Sequence, residues 1–283
     1  MTNQFVIDNN FDKNITTSYF LSIQLALDGF SFCVLDPISN EYILFYHKNI
    51  SINESLFGVT DSEIANNEYL QLPYQKTFVL FQTKHNTLIP SSLFDENQKE
   101  DYLNFCFNPN KYEEEITFSH KIKMADSYCI FSIPEKFSDL LSSKFSNVFY
   151  FNQTIPFIES ALLNTTFNTD QHLVYINVQN SCFDIIIIAG NNLKLHNTFN
   201  FHNKKEFLYY TLLVFEQLKL NTHTSHIYLS GRVSKTDDIY SMLKKYIKHV
   251  EIANESKHFK FAAVFKQVSL VNHINLINIP LCV

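Results

Sequence analysis

Two stretches of this chain, 153 positions apart, carry the same pattern, and that repetition constrains the fold more than any other feature. Residues 20–27 and 30–35 read as strands around Asp28-Gly29, with a third strand at 42–46. Residues 173–178 and 183–189 read as strands around a polar knot of Gln179, Asn180 and Ser181, with a third at 193–199 after Gly190-Asn191-Asn192. Turn residues set between apolar runs are the signature of hairpins. Ile23 corresponds to Ile176, Phe30 to Phe183 and Val34 to Ile187. A period this long indicates a duplicated domain rather than a stacked-repeat array. The 283 residues leave room for two domains.

The two halves also agree in the elements after each meander. In the second half, Leu208, Leu212, Phe215 and Leu218 recur at helical spacing within 204–220, and 226–229 is a short apolar strand. Thr236 or Asp237 caps a further helix whose buried stripe is Ile239, Leu243, Tyr246, Ile247 and Val250, and a last strand covers 250–253. The first half offers a helix within 59–70, a strand at 77–81, a long irregular stretch from about 84 to 126, and a strand at 128–133. Pro134 then opens a helix faced by Phe137, Leu140, Leu141 and Phe145, followed by a strand at 148–151 and a helix over 156–163. The expected fold class is α/β: two tandem RNase H-like domains, each β-β-β-α-β-α-β. Residues 1–165, with the insertion at about 84–126, form the first and 166–283 the second, joined by the polar segment 164–172. In the insertion, 113–115 reads as a solvated charge run. Leu88, Ile89, Leu93, Phe94, Leu103, Phe105 and Phe107 need a surface there, either the first domain or a partner protein.

Composition narrows the function. The net charge is −6 and the 22 Lys and Arg are scattered, so the basic stripe of a nucleic-acid binder is missing. Lys244, Lys245, Lys248 and His249 fall in and just beyond a helix's last turn, where cations suit the helix dipole. Cysteines 33, 106, 129, 182 and 282 show neither zinc nor redox spacing and fit buried thiols in a reducing cytosol. The polar N-terminus lacks a signal-peptide core, and no apolar run reaches the roughly 18 residues of a membrane span, so a cytoplasmic protein without an integral membrane segment is expected. With only four glycines, neither GxGxxG nor GxxxxGK occurs. No GxSxG elbow is present, and Cys182 has no basic sequence neighbour to lower its pKa, so it reads as an inert thiol. His223 and His226 read as a solvated loop rather than a metal site. A two-metal nuclease would need clustered carboxylates. Asp28 and Asp184 lie in opposite halves, and Asp184 is expected to point to solvent or cap its turn. Arg232 is the best single anion contact, although an ion pair with Asp237 or Asp238 is the preferred reading.

TLIPSSLF, FSIPEKF and VFYF in the first half resemble cytoplasmic pilus-assembly and secretion-platform actin-like proteins, and KEFLYYTLLVFEQLKL, IYLSG and IYSMLKKYI in the second resemble an uncharacterised bacterial domain-of-unknown-function family. That family has an actin-like ATPase fold, and the likeness extends distantly to cytoplasmic pilus-assembly and secretion-platform actin-like proteins. It covers nearly the whole chain and implies a nucleotide cleft between the two domains, filled by ATP with Mg²⁺. The positions it assigns to that cleft are Gln24, Ala26, Asn177, Gln179, Ser181, Asp184, Ser230, Gly231 and Arg232. Gln24 and Asn177 stand where actin-like ATPases carry acids, and Ala26 and Gln179 where they carry glycines. Leu27 replaces a hydroxyl residue and Ser31 a lysine, while Asp184 and Gly231 match. Neutral amides cannot balance a metal's charge, and added side chains obstruct the approach of backbone N–H groups to phosphate. The expectation is a pseudo-ATPase: a non-catalytic interaction or scaffold protein with a protein partner and no required cofactor. A weakly active ATPase, or a small-molecule binder using the cleft, are the alternatives.

Overall fold

The structure of the chain is a computed structural model that describes residues 3–27, 29–51, 53–108, 114–165, 172–254 and 256–283. The expectations placed on Asp28, on Glu113 and on most of the 164–172 segment lie outside the described residues. The chain divides into two compact units, residues 1–156 with 256–269 and 275–283, and residues 157–255 with 270–274.

In chain order the first part contains β1 (Gln4–Ile7), β2 (Phe20–Ala26), β3 (Gly29–Asp36), β4 (Glu41–Asn49), α1 (Leu56–Asn66) and β5 (Lys76–Phe81). Next come β6 (Asn86–Pro90), α2 (Lys99–Cys106), β7 (Glu115–Ile122), β8 (Ser127–Pro134), α3 (Glu135–Lys144), β9 (Val148–Asn152) and α4 (Thr154–Asn164). The second part contains β10 (His172–Val178), β11 (Cys182–Ala189), β12 (Asn192–Asn200), α5 (Lys204–Gln217), β13 (His226–Gly231), α6 (Asp238–Tyr246) and β14 (His249–Ile252). β15 (Lys260–Phe261) and α7 (Ile274–Asn278) close the chain.

The two main sheets share one topology. Their orders are β4-β3-β2-β5-β9, extended at the outer side of β4 by β1 and β15, and β12-β11-β10-β13-β14. The meander is antiparallel and the two crossover strands are parallel to its first strand, which is the RNase H-like order expected from the sequence. The hairpin registers also coincide under the same shift of 153. Gln24 pairs with Ser31 as Asn177 pairs with Asp184, and Leu25 with Phe30 as Val178 with Phe183. A one-residue slip would exchange the two faces of a strand, so a common register means a common inward-facing set.

In the second unit that set is Val174, Ile176, Val178, Phe183, Ile185, Ile187, Ile227 and Leu229, packed with residues of α5 and α6. The face α5 buries differs from the expected one: Phe207, Thr211, Val214 and Phe215 are buried, while Leu218 is exposed and Leu208 and Leu212 pack only partly. The aromatic ring of Phe207 sets this rotation, seating against Phe183 at 4.5 Å between centroids.

Two further expectations are corrected. The described residues of 84–126 are not irregular: β6, β7 and β8 form a separate antiparallel sheet in the order β6-β8-β7, with α2 against it. The strand read at 128–133 therefore belongs to this small sheet, because Ile130 pairs with Thr87 and Ser119 and not with the main sheet. Residues 256–283 do not belong wholly to the second domain. β15 adds to β4, and the Tyr42 hydroxyl donates to the Ile277 carbonyl at 2.5 Å, which fixes most of this segment to the first unit.

Candidate functional site

Each unit carries a polar row across its meander, near the carboxyl end of its first strand. In the first unit the row is Gln24, Ser31 and His47 on β2, β3 and β4. In the second it is Asn177, Asp184 and Thr198 on β10, β11 and β12, with Ser230 of β13 beside Asn177. In open α/β sheets ligands gather outside the carboxyl ends of the parallel strands, and both rows lie at that level.

The second row is closed by its own hydrogen bonds. Asn177 is 1 % exposed and donates through Nδ2 to Ser230 Oγ at 3.0 Å. Gln179 Nε2 donates to Asn177 Oδ1. Ser230 Oγ also reaches the Ile176 carbonyl at 3.5 Å. Asp184 is also 1 % exposed, and its carboxylate accepts the Thr198 hydroxyl at 2.6 Å. This corrects the expectation that Asp184 faces solvent. β11 is an interior strand, with Phe183 to Ile188 buried on both faces, so a side chain at 184 has no route to water. Ser181 sits exposed in the turn, and its carbonyl accepts the Phe201 N–H at 2.9 Å.

Gly231 has a local reason to be glycine. Its φ is +80°, and a Cβ there would lie 2.2 Å from the Val178 carbonyl oxygen. The next N–H, that of Arg232, donates to the same carbonyl at 2.7 Å. Backbone crowding between β10 and the end of β13 accounts for this glycine without a phosphate. The Arg232 side chain is half-buried, and its expected carboxylate partners are engaged elsewhere. Asp238 takes Lys204 Nζ at 2.5 Å, and Asp237 takes the Ser234 N–H and hydroxyl at 2.6 and 2.9 Å.

The first row uses other chemistry in the same places. Ser31, where Asp184 stands in the other unit, hydrogen-bonds through Oγ to His47 Nδ1 at 2.8 Å, and His47 Nε2 meets Asn49 Oδ1 at 3.3 Å. Gly29 leaves room for that ring, since a Cβ would come within 2.8 Å of His47 Cε1. Gln24 is half-buried, Ala26 is buried, and Leu27 is 83 % exposed at the hairpin tip. Sequence reasoning missed His47, which lies one residue beyond the strand read at 42–46. It also missed a buried network at the ends of β5 and β9. There the Thr83 carbonyl accepts Asn152 Nδ2, Gln153 Nε2 and Asn86 Nδ2 at 2.9, 3.0 and 3.2 Å.

Other candidates separate cleanly. Among the described residues, no group of three or more His, Cys, Asp or Glu could hold a metal ion. His223 is exposed, and the His226 ring instead stacks on His249 at 4.3 Å between centroids. All five cysteines are free. Cys33, Cys129 and Cys282 are buried, Cys182 is partly so, and Cys106 is exposed on α2, against the expectation of buried thiols. Burial pushes the Cys33 and Cys129 thiols up, and it pushes the His196 imidazole of β12 down to about 4. Among the described residues, no helix is long and apolar enough to cross a membrane.

A family profile described as "Protein of unknown function (DUF3822)" matches residues 8–250, spanning both duplicated meanders. The chain belongs to this family. A solved relative of this DUF3822 chain is a Bacteroides thetaiotaomicron protein with an actin-like ATPase fold and unknown function. It is 26 % identical over 86 % of this chain and 94 % of its own, with a TM-score of 0.80. The PilM–PilN type IV pilus biogenesis complex contains a chain similar in fold, at 9 % identity, a TM-score of 0.64, and coverage of 92 % of this chain and 97 % of that one. The actin-like ATPase fold and the distant likeness to a pilus-assembly protein, both expected from the sequence motifs, therefore hold. No curated protein matches the chain.

Proposed function

We propose that this DUF3822 protein is a non-catalytic, actin-like-fold component that works by holding a protein partner, with a nucleotide site that has lost its chemistry. The observation that carries this reading is the closed second row. Asn177 stands where the fold's ATPases carry an acid, and both ends of its carboxamide are already engaged, by Ser230 and by Gln179. A neutral, satisfied amide neither balances Mg²⁺ nor orients an attacking water. The other positions assigned by resemblance fit ATP with Mg²⁺ no better. Gln24 is neutral, Ala26 and Gln179 carry side chains where phosphate would need bare backbone, and Ser31 is occupied with His47. Asp184 already holds Thr198, and Gly231 answers to backbone crowding. Ser230 is held by Asn177 and the Ile176 carbonyl, and Ser181 is exposed in the turn beside them.

Support for a partner-holding role comes from the PilM chain, a protein of this fold solved in complex with PilN. Five unbridged cysteines favour a reducing compartment, and we place the protein in the cytoplasm. The test is a thermal melt with millimolar ATP and Mg²⁺. A micromolar site would then be about 1,000-fold above its Kd and would gain about 4 kcal/mol, an upward shift of several degrees. No shift is expected; a clear one would restore the ATPase reading.

A further inference from the structure

The loop after α5 leads into the amino end of β13, the opposite end from Ser230 and the Asn177 row. A cavity of about 560 Å³ opens there. Leu212, Phe215 and Leu220 give it an apolar lining, and Glu216, Lys219 and Thr222 a polar one. Lys219 holds a φ of +53°, the left-handed conformation just past a helix end where glycine is usual. Its N–H donates to the Glu216 carbonyl at 3.1 Å, and the Leu220 N–H to the Phe215 carbonyl at 2.7 Å. This closing turn is made by backbone alone, so glycine would serve the fold as well; the lysine is kept against backbone strain. Two more cations are tied to the same lining. The Lys248 N–H donates to the Thr222 carbonyl at 3.0 Å, and Lys244 Nζ donates to the Lys248 carbonyl at 3.3 Å. The dipole of α6 accounts for Lys244 in its last turn, but Lys219 and Lys248 lie outside the helices. Three lysines thus meet one acid, Glu216, in a chain of net charge −6. Among the described residues no carboxylate forms an ion pair with any of the three.

We propose that this groove takes an acidic peptide segment of a partner protein. An apolar side chain of the segment sits against Leu212, Phe215 and Leu220, and its carboxylates meet Lys219, Lys244 and Lys248. A concave apolar lining suits an inserted side chain better than the flat surface of an anionic membrane. The inference deepens the partner-holding reading and rests on it. The ATP melt probes the other end of the sheet, so the two outcomes are read separately: a flat melt without peptide binding removes this groove alone.

Fluorescence anisotropy of the full chain with a fluorescein-labelled peptide of alternating glutamate and leucine tests it. Wild type should bind, more weakly as salt is added. Lys219→Gly should raise the Kd about fivefold while also raising the urea midpoint, because the left-handed strain is relieved. A lysine with only a structural role would leave the Kd unmoved. Glu216→Lys should tighten binding, and Lys144→Glu, on α3 of the other unit, should not change it. A peptide with serine in place of leucine should bind about tenfold more weakly or worse. A wild type that does not bind, a Kd indifferent to Lys219→Gly, or capture by phosphatidylserine vesicles in preference to the peptide overturns the proposal.

Discussion

At the scale of single residues, the site depends on how each polar group is satisfied. Gly231→Ala should cost roughly 3 kcal/mol or more, because it combines a left-handed φ with a Cβ overlapping the Val178 carbonyl. Urea unfolding of the pair measures it, and a loss under about 1 kcal/mol would show that the end of β13 yields. His196 gives a pH dependence. Its folded pKa, about 4, lies below the unfolded 6.5, so its contribution is complete above 6.5 and is lost as pH falls from there toward 4. Urea midpoints measured across that window should fall less steeply for His196→Asn. Some slope should remain, because burial also lowers His120. Thiol labelling of the native protein should modify Cys106 first, with Cys33, Cys129 and Cys282 protected until unfolding. Of this chemistry, the amides in place of acids could be read directly in the sequence. The burial of Asp184 could not, since it arises from β11 having neighbours on both sides, a long-range fact. The packing reason for Gly231 was hidden for the same reason: the carbonyl that demands it is 53 positions away.

At the scale of elements, helix starts carry local energy that can be tested alone. Asn203 caps α5 by accepting from the N–H groups of Lys205 and Glu206, while Glu206 reaches back to the His202 N–H. This reciprocal box predicts that Asn203→Ala costs about 1 kcal/mol and Asn203→Asp much less, again by urea midpoint. Elements were largely legible where apolar periodicity and turn residues agreed. All six meander strands and both crossover strands of each unit lie within a few residues of their expected places. The small sheet was not legible. Its central strand, Ser127–Pro134, is as apolar as a core strand, whereas β7 alternates Glu115, Thr117, Ser119 and Lys121 with Ile116, Phe118 and His120. The partner of an apolar strand is set by the three-dimensional register, and alternation alone does not name it.

At the scale of the whole chain, the first unit is discontinuous. Its β4 edge and the Tyr42 hydroxyl are completed by residues beyond 255. Tyr42→Phe should cost about 1–3 kcal/mol, since the buried Ile277 carbonyl loses its donor, and the same urea comparison reports it. A fragment ending at residue 165 should lack a cooperative transition by near-ultraviolet circular dichroism, and adding residues 256–283 in trans should restore some of it. A sharp, cooperative melt of the fragment alone would contradict this.

That discontinuity also orders events during synthesis. The first unit's sheet emerges early, yet its final strand and the acceptor for Tyr42 leave the ribosome only after about 100 further residues, roughly 5–20 s later at ordinary elongation rates. During that interval the β4 edge is half dressed by β1 alone, and Tyr42 and Phe45 lack the rings of Phe259, Phe261 and Phe265 that later cover them. A nascent chain of this protein is therefore a natural client for whatever shields apolar surface at the tunnel exit, and slow codons near its end would prolong that exposure.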